Sequence, residues 1–202
     1  MQNKIDNSVD DLYKYEINSI PVKTGDLICT ADGDPSYRVG QFWWIIGQFI
    51  PGDVDHIAIY VGPEGRCVEA GAKGKVITFN IQDGKWDAQL MYGQRAIIDD
   101  LYGVADPTTG RNFTADQEIQ IRIAAARYCF RQAKEEKPYN LNFLESETDE
   151  AFYCSQLAYK AYKTNNINLN TNKSIPSIPF TNGIVFPQEV WAECKGKKLF
   201  VE

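Results

Sequence analysis

The chain contains one histidine, His56, and five cysteines, Cys29, Cys67, Cys129, Cys154 and Cys194. These are the side chains most suited to proton transfer and nucleophilic attack. A thiol attacks only as its thiolate, and at an ordinary pKa of about 8.5 it is mostly protonated near neutrality, so it needs a base or a positive field beside it. Four of the cysteines fall in ordinary packing environments. Cys29 and Cys67 sit in short strand-like runs, Cys129 in an apolar helical pattern, and Cys194 beside Lys195 near the end of the sequence. Cys154 stands at the expected first turn of a helix, where unpaired backbone N–H groups and the helix dipole favour a thiolate. There its own backbone N–H can receive a developing oxyanion. The acidic run Glu145, Glu147, Asp149 and Glu150 just before it would raise the thiol pKa unless turned away. A protonated His56 nearby would more than offset that effect.

His56 lies in the β-branched run Val54 to Val61. Strand parity puts Ile57, Ile59 and Val61 on one face, the core side, and His56 with Ala58 and Tyr60 on the other, facing outward toward another element or a cleft. A chain reversal at Gly62 to Gly65 returns Arg66 to Ala70 antiparallel. For a turn centred at 62.5 or 63.5, Glu69 then shares a sheet face with His56, directly opposite in the first register and diagonal, roughly 7–8 Å away, in the second. A carboxylate bonded to one ring nitrogen fixes the tautomer and leaves the other nitrogen to exchange a proton with a nucleophile. The commoner uses of these residues are a hydrogen-bonded surface histidine and an exposed strand glutamate.

The elements that must position these groups are readable in outline. Short strands are expected at Gly25 to Thr30, Val54 to Val61 and Arg66 to Ala70, with further ones at Lys75 to Ile81 and Arg95 to Asp99. Thr114 and Gln117 form a capping-box pattern ahead of Ile119, Ile123, Ala126, Phe130 and Ala133 at helical spacing, and Lys137-Pro138 closes that helix. A second helix is expected from about Phe152 to Tyr162. The proline-bearing remainder reads as loops and short irregular pieces before a last strand at Lys198 to Val201. This is an α+β pattern, an antiparallel sheet or small barrel packed against helices. Residues 1–202 read as one domain, with 1–21 as a loose N-terminal arm.

Composition limits the function classes. A chain of 202 residues, 44% apolar and 12% aromatic, buries a sizeable core without disulfides, and the odd cysteine set lacks a CxxC pair. A net charge of −6 has the wrong sign for a nucleic-acid binder. The longest apolar stretch, Phe42 to Ile46, is far short of the roughly 20 residues of a membrane span, and the polar, acidic N-terminus lacks a signal-type apolar region. The expectation is a cytoplasmic protein without cofactor; one histidine and scattered cysteines make a metal site the weakest option.

The ordered segments Asp55-His56-Ile57-Ala58-Ile59-Tyr60-Val61-Gly62, Val68-Glu69-Ala70 and Tyr153-Cys154-Ser155-Gln156-Leu157-Ala158 resemble the circularly permuted branch of the NlpC-type papain-like cysteine peptidases and amidases, with the histidine strand before the cysteine helix. The resemblance runs from about Gly25, whose Gly-Asp-Leu-Ile opening is similar to the strand before the histidine hairpin, to Tyr162. It implies a permuted papain-like fold with Cys154 as nucleophile, His56 as base and then acid, and Glu69 as the residue that orients it. Lecithin:retinol acyltransferase-like relatives often carry a second histidine where this chain has Glu69, and an asparagine where it has Tyr153. Those departures favour the bacterial hydrolase branch over acyl transfer.

The implied reaction cleaves an amide through a thioester, on a small peptide, an amino-acid amide or a lipid amide. The acidic run before Cys154 points to a substrate with a free amine. The apolar segments Phe42 to Ile50 and Ile178 to Phe186 ordinarily pack a core, and in the functional reading they wall an acyl-binding cleft. Trp43 and Phe180 from those segments, Tyr60 on the His56 face, and Tyr153 and Ser155 beside the cysteine are the expected substrate contacts. The rival readings are a thiol acyltransferase and a non-catalytic lipid- or peptide-binding shell in which Cys154 is structural.

Overall fold

The computed structural model describes residues 9–31, 52–171, 181 and 183–201. In chain order the elements are β1 (Lys14–Ile17), β2 (Ile20–Lys23), β3 (Leu27–Ala31), β4 (His56–Tyr60), β5 (Arg66–Ala70), β6 (Val76–Asn80), α1 (Ala88–Arg95), β7 (Asp100–Asp106), α2 (Ala115–Lys134), α3 (Cys154–Lys163), α4 (Pro187–Glu193) and β8 (Gly196–Leu199). β1 and β2 form a separate hairpin, and the other six strands make one antiparallel sheet in the order β6-β5-β4-β3-β7-β8. The fold is α+β, as the residue patterns imply, and β6 and β8 are the edges of this sheet among the described residues.

Alternation along the strands sorts the side chains into two cores. Leu27, Cys29, Ile57, Ile59, Val61, Val68 and Ala70 face α2, α3 and α4, where they meet Ala126, Phe130, Leu157, Ala158 and Val190. Ile28, Ala58, Tyr60 and Cys67 face the other way, against Ile17, Ile20 and Val22 of the β1–β2 hairpin and Trp86 and Met91 around α1. The expected inward face of β4 is therefore the helix-covered one. The opposite face does not look outward: Ala58 and Tyr60 are fully buried in the second core. The same hairpin corrects the expected loose arm, because Lys14–Ile17 and Ile20–Lys23 are paired strands with Ile17, Ile20 and Val22 buried.

Local chemistry accounts for the helix starts. Thr114 accepts from the Gln117 N–H, and Gln117 accepts from the Thr114 N–H, which closes the capping box expected for α2. α3 begins at Cys154 itself, with the Gln156 side chain accepting from the Tyr153 N–H. The expected strand at Arg95 to Asp99 is instead the end of α1 and a short connection, and pairing begins at Asp100. α4 occupies part of the stretch expected to be irregular. Pro187 takes the first helical position, where its missing N–H costs nothing. Between β4 and β5, Gly65 has φ +75°, and a Cβ there would stand 2.3 Å from the Ile81 carbonyl oxygen, so the turn requires glycine.

Candidate active site

Two element starts meet at one end of the sheet. His56 is the first residue of β4 and Cys154 the first of α3, and the strand and helix pack against each other. Pairing of Ile59 with Val68 and Tyr60 with Cys67 sets the β4–β5 register, which carried forward puts Glu69 opposite Ala58 and diagonal to His56. This is the second of the two registers considered, with the turn centred at 63.5. Glu69 Oε2 lies 2.9 Å from His56 Nε2. The ring's other nitrogen, Nδ1, is left free of Glu69, and Cys154 lies close enough for thiol and imidazole to act on each other's ionisation. Thus the three residues expected to act together do converge.

The electrostatics favour a charged pair. Burial by itself would drive the His56 imidazole down. The charge of Cys154 and its hydrogen bond outweigh burial, with Glu69 adding to both effects, and the imidazole is pushed up to about 10. Burial would likewise raise the Cys154 thiol. The His56 charge and hydrogen bond, together with the backbone N–H groups of Ile57 and Ser155, outweigh it and bring the thiol below its ordinary value. The two Cys154 backbone neighbours come from the strand start and the helix start, so the fold itself supplies donors to sulfur. Cys29, Cys67, Cys129 and Cys194 shift the other way, burial being the leading cause in each.

The acidic run is turned away from the thiol. Glu147 pairs with Lys163 at 2.6 Å and receives the Tyr159 hydroxyl, Asp149 receives Tyr128 at 2.8 Å and pairs with Lys160, and Glu150 reaches Lys137. Glu145 receives the Asn142 amide. These contacts compensate the negative charge that would have opposed ionisation of Cys154.

Other expected contacts have different roles. Tyr153 is buried, and its hydroxyl accepts from the Val185 N–H and donates to the Phe143 carbonyl. Ser155 is buried and donates to the Val185 carbonyl at 2.6 Å. Tyr60 stacks on Tyr15 inside the second core. All three side chains are buried and hold neighbouring elements in place. Trp43 and Phe180 lie outside the described residues.

Sequence reasoning missed several neighbours. Arg95, at the end of α1, makes paired bonds to Glu69 and paired bonds to Asp99, and Thr30 on β3 donates to Asp99 at 2.7 Å. Tyr139, whose phenol burial holds protonated, lies close enough to feel the charge of Cys154. Asp87, which caps α1 through the Leu90 N–H, was the available signal for that helix and hence for Arg95. No group of histidine, cysteine, aspartate and glutamate side chains that could hold a metal ion occurs among the described residues, and none of their helices is long and apolar enough to cross a membrane.

Comparison with known proteins agrees with this architecture. Residues 41–199 match the family model described as permuted papain-like amidase enzyme, YaeF/YiiX, C92 family. Neither the curated proteins nor the solved structures gave a match. With the family model covering most of its length, the chain belongs to the permuted papain-like amidases of the YaeF/YiiX, C92 family.

Proposed function

We propose that the protein is a cysteine amidase in which Cys154 attacks a carbonyl carbon, His56 moves the proton and Glu69 orients His56. The observation that carries this reading is the shared imidazole: Nε2 on Glu69 at 2.9 Å, with Cys154, at the start of the helix packed on the same strand, close enough to act on that ring. The thiolate adds to the amide carbonyl, and the new oxyanion is received by the first-turn N–H groups of α3, beginning with that of Cys154. Tyr139, whose phenol burial holds protonated and which feels the charge of Cys154, is a candidate second donor.

The same electrostatics account for the change of role at His56. Apart from burial, the thiolate is the first contributor to its pKa, and it raises it. Once sulfur has bonded to the carbonyl carbon in the tetrahedral intermediate that charge is gone, the imidazolium becomes more acidic, and its proton passes to the amine nitrogen as the C–N bond breaks and the thioester forms. The resulting neutral ring then removes a proton from water, which attacks the thioester and regenerates the thiolate.

The test is to mix the protein with a panel of peptide and acyl anilides, quench, and look for an acyl group on the Cys154 peptide by mass. An acyl adduct on Cys154, discharged on standing and absent from the His56→Ala variant, is the expected result. Turnover without any adduct, undiminished in Cys154→Ala, would overturn the assignment.

A second reading concerns the acyl side. Leu141, Phe143 and Leu144 are exposed, at 81%, 42% and 59%, in the loop leading to α3. Phe143 packs edge-on against Tyr153, 5.3 Å between ring centroids, immediately before the nucleophile. With the acidic run compensated by lysines, this apolar loop favours an apolar acyl group over a free amine as the recognised feature. A rise in kcat/KM along a series of N-acyl amides of increasing chain length supports that reading, and a flat series removes it.

A further inference from the structure

Arg95 is completely buried, and so is the Glu69 side chain that it grips. Its Nε lies 3.0 Å and its Nη2 2.8 Å from Glu69 Oε2, the oxygen that also meets His56 Nε2. The other side of the guanidinium bonds both oxygens of Asp99, through Nη1 at 2.8 Å and Nη2 at 2.9 Å. Thr30 Oγ1 holds Asp99 from β3, and Thr30 is the Cα partner of His56 in the β3–β4 pairing. The contacts therefore close a circuit around β4. It runs from His56 to Glu69 on β5, across Arg95 and Asp99, and back through Thr30 on β3 to the strand that carries His56.

The surroundings make that circuit rigid. The guanidinium carbon stands 4.7 Å from the Phe79 ring centroid and 4.6 Å from that of Trp86, against two aromatic rings that meet edge-on. Trp86 Nε1 donates to the Asp99 backbone carbonyl at 3.2 Å. A purely structural ion pair in such a place is a poor source of stability, because desolvating the charges offsets most of their attraction. What distinguishes this one is that its carboxylate is shared with the imidazole. Against the effect of burial, Arg95 is the leading influence that keeps Glu69 ionised, at about 2.

We propose that Arg95, braced by Asp99 and Thr30, is a positioning residue for the reaction: it fixes the plane and charge of Glu69, so that the imidazole keeps its Nε2 proton and presents Nδ1 to Cys154. The proposal rests on the amidase reading and adds the residues that set His56 up. The charged groups that act directly on the ring are Cys154 from α3 and Glu69 from β5, and Arg95 with Asp99 acts on it through Glu69.

The experiment uses readouts that need no substrate. Because His56 is the only histidine, its imidazole resonances are assigned without ambiguity, and Cys154 alkylation by iodoacetamide is followed by peptide mass as a function of pH. Arg95→Lys keeps the charge and loses the two-pronged grip. It is expected to slow alkylation at pH 6.5 by about tenfold, the low end of what supporting residues around reactive centres cost, and to abolish the slowly exchanging Nε2 proton signal. Thr30→Val, nearly isosteric and at the far end of the circuit, is expected to give a change of the same sign, about two- to threefold.

A folded Arg95→Lys protein with lowered Tm but unchanged alkylation profile and unchanged His56 signals would mean that Arg95 only packs, and the proposal fails. Should Arg95→Lys not fold, Thr30→Val decides: an unaltered His56 spectrum and alkylation profile overturn it. A wild-type protein that hydrolyses no amide, yet shows the reactive thiol and loses it in these variants, overturns the amidase reading while the positioning role stands.

Discussion

Glu69 is bonded to His56 at Nε2, which commits the opposite ring nitrogen to the side of the ring where Cys154 begins its helix. That polarity follows from the antiparallel register of β4 and β5. A shift of one residue would place Glu69 on the other face, among the helices, and leave the ring without its carboxylate.

The nucleophile is the most direct point of attack. Cys154→Ala removes sulfur from a buried position at a helix start and leaves the Tyr153 and Gln156 capping contacts in place. The expected loss of stability is about 1 kcal/mol or less, while turnover falls by a factor on the order of 10⁴ or more. Thermal melts and steady-state assays on the same preparation separate the two.

Thiol chemistry gives a substrate-free check. Only Cys154 has a lowered pKa, whereas burial raises those of the other four cysteines. Brief exposure of the native protein to limiting iodoacetamide near pH 6.5 is expected to label Cys154 alone. His56→Ala removes the leading influence that opposes burial of the thiol, so selective labelling disappears. Equal labelling of all five thiols in the native protein would contradict the charged pair.

The pH dependence follows from the signs of the shifts. His56 is raised from 6.5 to about 10, so the stability from its charged form is complete below about pH 6.5 and is lost as pH rises through 10. Glu69 is lowered from 4.5 to about 2, so its contribution is complete above about pH 4.5 and is lost as pH falls through 2. Cys154 is lowered, so its contribution is lost as pH falls through its reduced value. Alkylation of Cys154 should therefore reach its plateau at a lower pH than an ordinary thiol does, and denaturant melts of Glu69→Gln should lose the acid decline between about pH 4.5 and 2. An alkylation midpoint near 8.5 to 9 would contradict the assignment.

Strand alternation and the glycine turn placed His56 and Glu69 on one face, because the pairings for turns centred at 62.5 and 63.5 differ by two residues and so keep the same parity. The capping box at Thr114 and the helix start at Cys154 were legible for the same reason: each rests on contacts a few residues apart. Arg95 was not legible. Its helix exposes Leu90 and Tyr92 and buries only Met91 and Arg95, so α1 carries little apolar periodicity, and the following Ile97 and Ile98 mimic a strand. The second core was hidden because the hairpin that covers it lies far from β4 in sequence. Buried on both faces, β4 gives no contrast between an inward and an outward side.

Tyr153 and Ser155 test how sharply structural and reactive positions are divided at the start of α3. Both hold Val185, one through its N–H and the other through its carbonyl, and both are closed off from solvent. Tyr153→Phe leaves the Val185 N–H and the Phe143 carbonyl without their partner, which is expected to cost about 1–3 kcal/mol. Ser155→Ala removes one donor to Val185, at a cost of about 1 kcal/mol. In both variants the Cys154 and Ser155 backbone N–H groups remain, so KM and kcat of the folded protein should stay within about threefold of the native values, a shift of less than 1 kcal/mol. A large rise in KM with unchanged Tm would instead return these side chains to the substrate.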